Sequence, residues 1–163
     1  AVPKYIQEWE SPFGPEAKRF PLQVVGHHTL ARVHSTMAGV DWLEEAFPQR
    51  VFMNPIDAAE RNIEDGDQVK VYNGRGALIL PCRLTPRILP GVVDIPQGAW
   101  YEPDQNGVDR GGCVNVLTSH HWTPFAYGTT QHTIMVQVEK TVEGEPQTVL
   151  KGLRSIVHRP RSK

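Results

Sequence analysis

Residues 54–71, with the sequence NPIDAAERNIEDGDQVKV, contain a helix start, a short helix, a turn and a strand. Asn54 is predicted to cap the helix and Pro55 to occupy its first position, where the missing N–H of proline costs nothing. The helix is expected to stop near Asn62, and a glycine-containing turn is expected to follow. Polar and apolar residues then alternate over residues 68–72, which predicts a strand.

The composition indicates one domain built from short strands. The chain has 163 residues, about the size of a single domain, and 39% of them are hydrophobic, which is enough for one core. Its 14 prolines and 14 glycines favour many short strands joined by turns over a helical bundle. The formal net charge of −1 provides no electrostatic basis for binding nucleic acid, so no nucleic-acid partner is expected.

Three segments are predicted: an extended arm from an upstream domain at 1–20, a barrel domain at 21–140 and a C-terminal tail at 141–163. The arm is punctuated by prolines, and its aromatic residues recur at four-residue spacing: Tyr5, Trp9 and Phe13. This spacing fits either a helix or an apolar strip that lies across a neighbouring domain. The tail ends in a basic sequence that we interpret as a solvated terminus, with binding to an acidic partner as the alternative.

The barrel domain is predicted to contain six or seven strands and one or two short helices. Besides 68–72, the predicted strands are residues 21–26, 49–53, 77–84, 92–96 and 133–140. A short helix is expected over residues 40–47, with an apolar face that includes Trp42 and Phe47. The Asn73-Gly74 pair is expected to adopt positive φ in a tight hairpin turn.

No catalytic or metal-binding residue is predicted. The seven histidines include two adjacent pairs, at 27–28 and 120–121, but neighbouring strand residues point to opposite faces and seldom bind one metal ion together. The sequence contains no HExxH motif, glycine-rich phosphate loop or evident nucleophile–base pair. Cys82 and Cys113 lie in neither a CxxC nor a zinc-finger spacing, so we interpret both as small buried hydrophobic residues, although two cysteines also allow one disulfide.

Polar residues cluster just beyond several predicted strand ends. The clusters are Gly26-His27-His28, Arg32-Val33-His34-Ser35, Asn54 with Asp57, and Gly111-Gly112 leading to Asn115 and Thr118. Such loops offer backbone N–H groups and short polar side chains to an extended ligand rich in hydrogen-bond acceptors. Alternation places Arg32 and His34 on one face, and the Asp57 carboxylate can accept two hydrogen bonds from a guanine edge. In the structural alternative, Asn54 and Asp57 only cap a helix and His34 is a satisfied core residue.

Four blocks of sequence, in the same order, resemble the molybdopterin-dinucleotide-binding domain of the dimethyl sulfoxide reductase family. The blocks are PLQVVGHH (21–28) with RVHS (32–35), NPIDA (54–58) ending at Gly66-Asp67, TPR (85–87) with PGVV (90–93), and GAWY (98–101) through DRGGCVNVLT (109–118). The resemblance covers about three quarters of the chain, residues 20–140, and is closest to the membrane-associated anaerobic reductases. It implies a mainly β fold, a double-psi β-barrel with one or two short helices.

The resemblance assigns cofactor contacts by position. The residues that it implies are Gly26, His27, Arg32, His34 and Ser35 over the pterin, Asn54 and Asp57 near a guanine, Asn115 and Thr118 facing the pterin, and Gly128 in the last cofactor-facing loop. Many relatives carry a lysine shortly before that glycine, whereas this chain has Tyr127, so no charge contact is implied there. Arg32 and the histidines are hypothesised to stabilise negative charge on the reduced cofactor.

The resemblance also implies the setting of the domain. The implied cofactor is molybdopterin guanine dinucleotide in its bis form, with molybdenum held through the cofactor and another domain. The implied enzyme transfers an oxygen atom to or from a small S-oxide or N-oxide, and the isolated domain is expected to be inactive and without cofactor. Implied partners are the remaining domains of the same catalytic subunit, an iron–sulfur electron-transfer subunit and a membrane-anchor subunit, at the extracytoplasmic face of a prokaryotic membrane.

A second interpretation belongs to a different functional class. In it, the chain is a free-standing double-psi barrel that acts as a protein-interaction module without a cofactor. The aromatic residues of the arm and the polar strand-end loops favour the cofactor-binding interpretation. A self-sufficient small enzyme is the least favoured, because no nucleophile–base pair is evident.

Overall fold

The computed structural model of the chain describes residues 2–141, so the predicted tail lies outside the described residues except for Thr141. Within this range there are six strands and two α-helices. The strands are β1 Leu22–Val25, β2 Val51–Met53, β3 Gln68–Tyr72, β4 Ala77–Leu84, β5 Val92–Asp94 and β6 Ile134–Lys140. The α-helices are α1 Asp41–Ala46 and α2 Pro55–Ala59, and 3₁₀ helices span Pro15–Lys18 and Val114–Leu117.

The six strands close into a barrel in the order β1-β5-β2-β4-β3-β6. The pairs β1·β5 and β2·β4 are parallel, and the other four pairs are antiparallel. Only β3 and β4 are neighbours both in sequence and in the barrel, so the remaining connections pass over the ends or the outside of the barrel. Closure gives each of the six described strands a partner on both sides. The barrel confirms the predicted mainly β, double-psi fold class with short helices.

The barrel interior is filled by alternate residues of the strands. In β3, Val69 and Val71 are fully buried, while the residues between and beside them are partly exposed. Leu22 and Val24 repeat this pattern in β1. Complete burial of such a side chain stabilises the fold by about 1.5–3 kcal/mol. The alternation therefore both selects the strand conformation and provides much of the driving force for closing the barrel.

The cap of α2 forms as predicted. Asn54 Oδ1 accepts a hydrogen bond from Ile56 N–H at 2.9 Å, and Asn54 Nδ2 donates to Ile88 O at 2.6 Å. The same side chain thus starts the helix and ties it to the loop that precedes β5. The helix ends at Ala59, before the predicted stop near Asn62, and Asn62 adopts a left-handed φ of 53° in the following turn.

The predicted β3–β4 hairpin forms, but the prediction of its turn was wrong. Neither Asn73 nor Gly74 has a positive φ. Asn73 Oδ1 instead accepts a hydrogen bond from Arg75 N–H at 2.9 Å, and Asn73 N–H donates to Gly76 O at 3.1 Å. An asparagine side chain that bonds to the backbone two residues on makes an Asx turn. The turn is therefore closed by this side chain rather than by left-handed backbone.

Helix α1 forms inside its predicted range, but its apolar face is not packed. No residue of α1 is buried; Trp42 is 69% exposed, and Phe47, which follows the helix, is 44% exposed. The amino-terminal side of α1 is held by Glu44 Oε1, which accepts a hydrogen bond from Gly39 N–H at 2.9 Å. Neither α-helix in the described range has the length and apolarity of a membrane span.

The arm is attached to the barrel domain by polar contacts and by one ring stack, in which Trp9 lies on His121 with the ring centroids 5.0 Å apart. Residues 2–14 contain no helix, so the helical interpretation of the aromatic spacing was wrong. Glu10 Oε1 pairs with Arg75 Nη1 at 2.8 Å, and Glu10 Oε2 accepts a hydrogen bond from Met135 N–H at 3.0 Å. The three aromatic side chains stay exposed: Tyr5, Trp9 and Phe13.

Both cysteines are free thiols, as the hydrophobic interpretation predicts. Cys82 is buried on β4, whereas Cys113 is only half-buried. Burial raises the pKa of the Cys82 thiol to about 12, helped by the nearby charges of Asp65 and Asp67. Burial also raises the pKa of Cys113. A thiol held neutral in this way is a poor nucleophile and metal ligand.

The raised pKa of the Cys82 thiol is expected to lower the stability of the fold at alkaline pH. Its folded-state pKa of about 12 lies above the ordinary 9.0, so its contribution to stability is complete below pH 9.0 and disappears as the pH rises toward 12. We expect the free energy of unfolding of the wild-type chain to fall in this range more steeply than that of Cys82→Ala, by up to about 1.4 kcal/mol per pH unit. Urea unfolding followed by tryptophan fluorescence measures both slopes, and Cys113→Ala is the control that retains Cys82. Equal slopes for the wild type and Cys82→Ala would contradict the prediction.

Candidate functional site

The predicted cofactor residues divide between the two ends of the barrel. Strands β1 and β5 are parallel, so Gly26 leaves the barrel beyond Asp94; we call this the β1 end. Strand β2 is antiparallel to β5, so Asn54 leaves the barrel beside the start of β5; we call this the β2 end. The amino terminus of β6 pairs with β1, which brings the loop before β6 to the β1 end as well. Two polar clusters at opposite ends suit an elongated ligand whose ends differ in chemistry.

His27 is fixed at the β1 end by Asp94. The His27 N–H donates to Asp94 Oδ1 at 3.2 Å, and His27 Nδ1 lies 2.5 Å from Asp94 Oδ2. The imidazole packs edge-on against Phe52 with their ring centroids 5.8 Å apart. At the preceding residue, a Cβ on Gly26 would lie 3.2 Å from Ile95 O, so the chain passes close to the next loop. These contacts orient the His27 ring and leave its Nε2 for other hydrogen bonds.

The prediction that Arg32 and His34 share one face was wrong. Thr36 N–H donates to Val33 O at 2.9 Å and closes a turn in which His34 adopts a left-handed φ of 50°. Arg32 is consequently buried, whereas His34 is exposed. Alternation predicts a common face only where a neighbouring strand aligns the backbone, and this loop has none.

Arg32 is a buried cation whose hydrogen-bonding capacity is only partly used. Its Nη2 donates to Gln49 Oε1 at 2.6 Å and to Gln97 O at 3.3 Å. Burial lowers the pKa of Arg32, and the charge of Glu44 opposes that shift. Its Nε is buried without a hydrogen-bond partner among the described residues. Such a buried donor costs about 1–3 kcal/mol, a cost that an acceptor on a bound ligand would remove.

A groove of about 240 Å³ at the β1 end brings three predicted residues together: His34, Ser35 and Asn115. Gly98, which sequence reasoning did not assign to the site, makes this arrangement possible. A Cβ at Gly98 would lie 1.8 Å from His34 O, and its φ of 92° favours glycine. Trp100 Nε1 donates to Ser35 O at 3.2 Å and holds the same loop. The available clue was the glycine that begins the GAWY block.

Thr118 and Gly128 lie at the β1 end but do not line this groove. Thr118 Oγ1 donates to Asn115 O at 2.9 Å and ends the 3₁₀ helix that carries Asn115. Gly128 N–H donates to Thr123 Oγ1 at 2.9 Å within a separate turn. In that turn Tyr127 adopts a φ of 51° and is 75% exposed. The contacts of Thr118 and Gly128 with a cofactor stay predictions.

Asp109 organises the loop that leads to Asn115, and sequence reasoning did not single it out. Its side chain is fully buried. Its carboxylate accepts four backbone hydrogen bonds of 2.6–3.1 Å, from Glu102, Gly111, Gly112 and Cys113. Charge-assisted bonds of this kind are stronger than neutral ones. The double glycine is therefore more than a turn, because it wraps the chain around a carboxylate and directs the 3₁₀ helix toward the groove.

At the β2 end, Asn54 and Asp57 differ in how much of their polar capacity is used. Both polar atoms of Asn54 bond to Ile56 and Ile88, as its role in capping requires. Asp57 Oδ2 accepts a hydrogen bond from Gly91 N–H at 2.8 Å. Asp57 Oδ1 has no partner among the described residues. Asp57 therefore keeps a carboxylate oxygen for a donor on a ligand, whereas Asn54 is occupied by the protein itself.

The chain matches a known family over most of its length. The profile of the family described as "Molydopterin dinucleotide binding domain" matches residues 22–135. The chain belongs to this family, which confirms the predicted resemblance.

Several reductases are similar to the chain. Dimethyl sulfoxide reductase DmsA of Haemophilus influenzae is 47% identical over 139 residues, which are 85% of this chain and 17% of the reductase. The Escherichia coli DmsA matches with the same identity and coverage. Dimethyl sulfoxide/trimethylamine N-oxide reductase of Cereibacter sphaeroides is 36% identical over 91% of this chain and 19% of its own length. The chain thus spans about a sixth to a fifth of these curated relatives.

A solved structure shares the fold. Acetylene hydratase from Pelobacter acetylenicus superposes with a TM-score of 0.73 over 86% of this chain and 21% of the hydratase, at 19% sequence identity. At that identity the similarity concerns the fold alone.

These findings establish the class of domain. The chain is a molybdopterin-dinucleotide-binding domain, and its cofactor is molybdopterin guanine dinucleotide. The match favours this function over the cofactor-free interaction module. Within residues 2–141, no three His, Cys, Asp or Glu residues are placed to hold a metal ion.

The residues at both barrel ends fit this cofactor. At the β1 end, the buried Nε of Arg32 offers a donor and the groove offers the polar side chains of Ser35 and Asn115. At the β2 end, Asp57 Oδ1 offers an acceptor. When bound, the cofactor supplies molybdenum and two-electron chemistry. The residues at the two barrel ends would bind and orient it.

The close approach at Gly98 predicts that an added methyl group disrupts the groove. In the full-length enzyme, we expect Gly98→Ala to reduce bound molybdenum and GMP per polypeptide about tenfold or more, because the new Cβ would overlap the His34 carbonyl. Gly107→Ala is the matched control, since Gly107 also has a positive φ but nothing within 4 Å of the added Cβ. Metal analysis and nucleotide release measure the outcome. Equal cofactor contents in the two variants would show that the approach does not shape the site.

Proposed function

We propose that this chain is the cofactor-closing domain of a catalytic subunit that reduces a small S-oxide or N-oxide by oxygen-atom transfer. The names of the relatives support this proposal, since two are dimethyl sulfoxide reductases and a third is a dimethyl sulfoxide/trimethylamine N-oxide reductase. The reaction consumes two electrons and two protons, and it yields the reduced substrate and water. Because the chain spans only 17–19% of these relatives, activity belongs to the whole polypeptide and the isolated domain is inactive.

The observation that carries the proposal is that two different kinds of polar site lie at opposite ends of the barrel. At the β1 end, the buried guanidinium of Arg32 and the groove of His34, Ser35 and Asn115 suit the polar, anionic pterin part. At the β2 end, the remaining oxygen of Asp57 suits the N1–H and 2-amino group of guanine. We propose that the cofactor extends between these ends, with its reactive part nearer the β1 end.

The length of chain that the relatives have beyond this one supports, as partners, the remaining domains of the same catalytic subunit. The family resemblance adds, as further proposed partners, an iron–sulfur electron-transfer subunit and a membrane-anchor subunit, at the extracytoplasmic face of a prokaryotic membrane. The arm residues Tyr5 and Phe13 support contact with an upstream domain, because their side chains are 68% and 82% exposed. Co-purification from the native membrane, followed by mass spectrometry of the subunits, tests this part of the proposal.

The carboxylate of Asp57 is predicted to make the β2 end selective for the guanine base of the cofactor. In the full-length enzyme, Asp57→Asn replaces a charged acceptor with an amide, and we expect about tenfold or more weaker retention of GMP-containing cofactor. Glu60→Gln is the matched control, because Glu60 is an exposed carboxylate just after the same helix. GMP released from equal amounts of folded protein measures retention. If Asp57→Asn retained as much GMP as the control, Asp57 would be only a helix-end residue.

The positive charge of Arg32 is predicted to stabilise the reduced form of the cofactor. We expect Arg32→Leu to lower the midpoint potential of the bound molybdenum by about 30–60 mV, since the reduced form loses a nearby positive charge; 59 mV corresponds to a tenfold change for one electron. Arg32→Lys keeps the charge and is expected to retain most of the potential. Potentiometric titration followed by electron paramagnetic resonance provides the measurement. An unchanged potential in Arg32→Leu at full cofactor content would exclude this role.

A further inference from the structure

Three loops of the β1 end meet at one amide side chain, that of Gln49. Gln49 precedes β2 and was not assigned to any site. Its Oε1 accepts from Arg32 Nη2 at 2.6 Å, while its Nε2 donates to Pro96 O at 2.6 Å and to Gly112 O at 3.1 Å. All three of these residues lie in loops whose backbone is not paired with a strand. The side chain therefore uses its acceptor and both donors to join three loops.

The same three loops provide the groove at the β1 end. Arg32 precedes His34 and Ser35, Pro96 precedes Gln97 and Gly98, and Gly112 precedes the segment from Cys113 to Asn115. Gln49 itself does not line that groove. Its amide instead bonds to the guanidinium of Arg32 and to the backbone carbonyls of Pro96 and Gly112, each of which precedes a group of lining residues.

The packing around Gln49 is close as well as polar. A Cβ at Gly112 would lie 2.6 Å from Gln49 Cγ, so glycine is what allows this loop to reach the side chain. A primary amide is planar and combines acceptor and donor groups, whereas a carboxylate only accepts. Glutamine is thus matched to one cationic donor and two carbonyl acceptors, and an isosteric glutamate satisfies only the first.

We propose that Gln49 is a positioning residue for the cofactor. Its amide sets the three loops at the spacing in which Arg32 and the groove bind the cofactor together, without touching the cofactor itself. This inference rests on the proposed function of the domain. One side chain then holds cofactor-binding groups from three separate loops in place, as outer-sphere residues do around other cofactors.

The test uses Gln49→Glu in the full-length enzyme. The substitution keeps the acceptor for Arg32 but turns a second oxygen toward the carbonyls of Pro96 and Gly112. Gln105→Glu is the matched control, because the same chemical change falls on an exposed loop residue. Three readouts are compared: the release rate of molybdenum and GMP, the molybdenum(V) resonance signal, and hydrogen exchange of peptides from the loops and from the strands.

The expected result for Gln49→Glu is about tenfold faster release, a changed molybdenum(V) signal, and faster exchange in peptides covering residues 26–36, 95–99 and 109–115. The strand peptides are expected to exchange as in the wild type, and the control to be unchanged throughout. Release and loop exchange at wild-type rates would overturn the proposal. Loss of protection in the strands together with the loops would also overturn it, because Gln49 would then support the fold in general.

Two further results are interpretable. If Gln49→Glu does not fold, Gln49→Met removes the three hydrogen bonds without adding a charge, and the same criteria apply to it. If the wild-type enzyme holds no molybdopterin, the proposed function fails and the role of Gln49 toward the cofactor fails with it. The loop exchange of the variant then separately shows whether the amide joins the loops.

Discussion

The pairing of β5 with both β1 and β2 is the constraint on which the site depends. Parallel pairing with β1 and antiparallel pairing with β2 send the residues after these two strands to opposite ends of the barrel. Because the barrel is closed, neither strand can shift its register without moving apolar residues out of the core. The distance between Gly26 and Asn54 is therefore fixed by strand pairing, and an elongated cofactor meets a rigid body rather than two mobile loops.

Buried polar groups then shape the loops that strand pairing leaves undefined. Loop backbone has no sheet to satisfy its hydrogen bonds, so the bonds must come from side chains or from water. Asp109 supplies four of them to the double-glycine loop, and Asp94 supplies one to the His27 N–H. A second bond from Asp94 holds the His27 imidazole. At Gly98 the absence of a side chain provides the remaining freedom, since the chain passes against the His34 carbonyl. The domain thus positions its ligand-binding groups mainly through residues that do not bind the ligand.

Local chemistry made the barrel strands and the α2 cap predictable. Alternation over β3 and the Asn54-Pro55 pair act within a few residues, so no knowledge of the fold is needed to interpret them. The cofactor was predictable from the family resemblance of the four sequence blocks rather than from local chemistry. Three features could not be predicted in this way: the turn at His34, the Asx turn at Asn73 and the exposed face of α1. They depend on which groups lie nearby in three dimensions, and the spacing of residues along the sequence does not contain that information.

We infer that this chain is one cofactor-binding domain of a larger molybdenum reductase. Native mass spectrometry of the protein isolated anaerobically from its own source distinguishes such a domain from a free-standing protein. We expect a polypeptide several times longer than 163 residues that contains this sequence, molybdenum and two pterin dinucleotides. A free species of about 18.3 kDa without metal or nucleotide would contradict it.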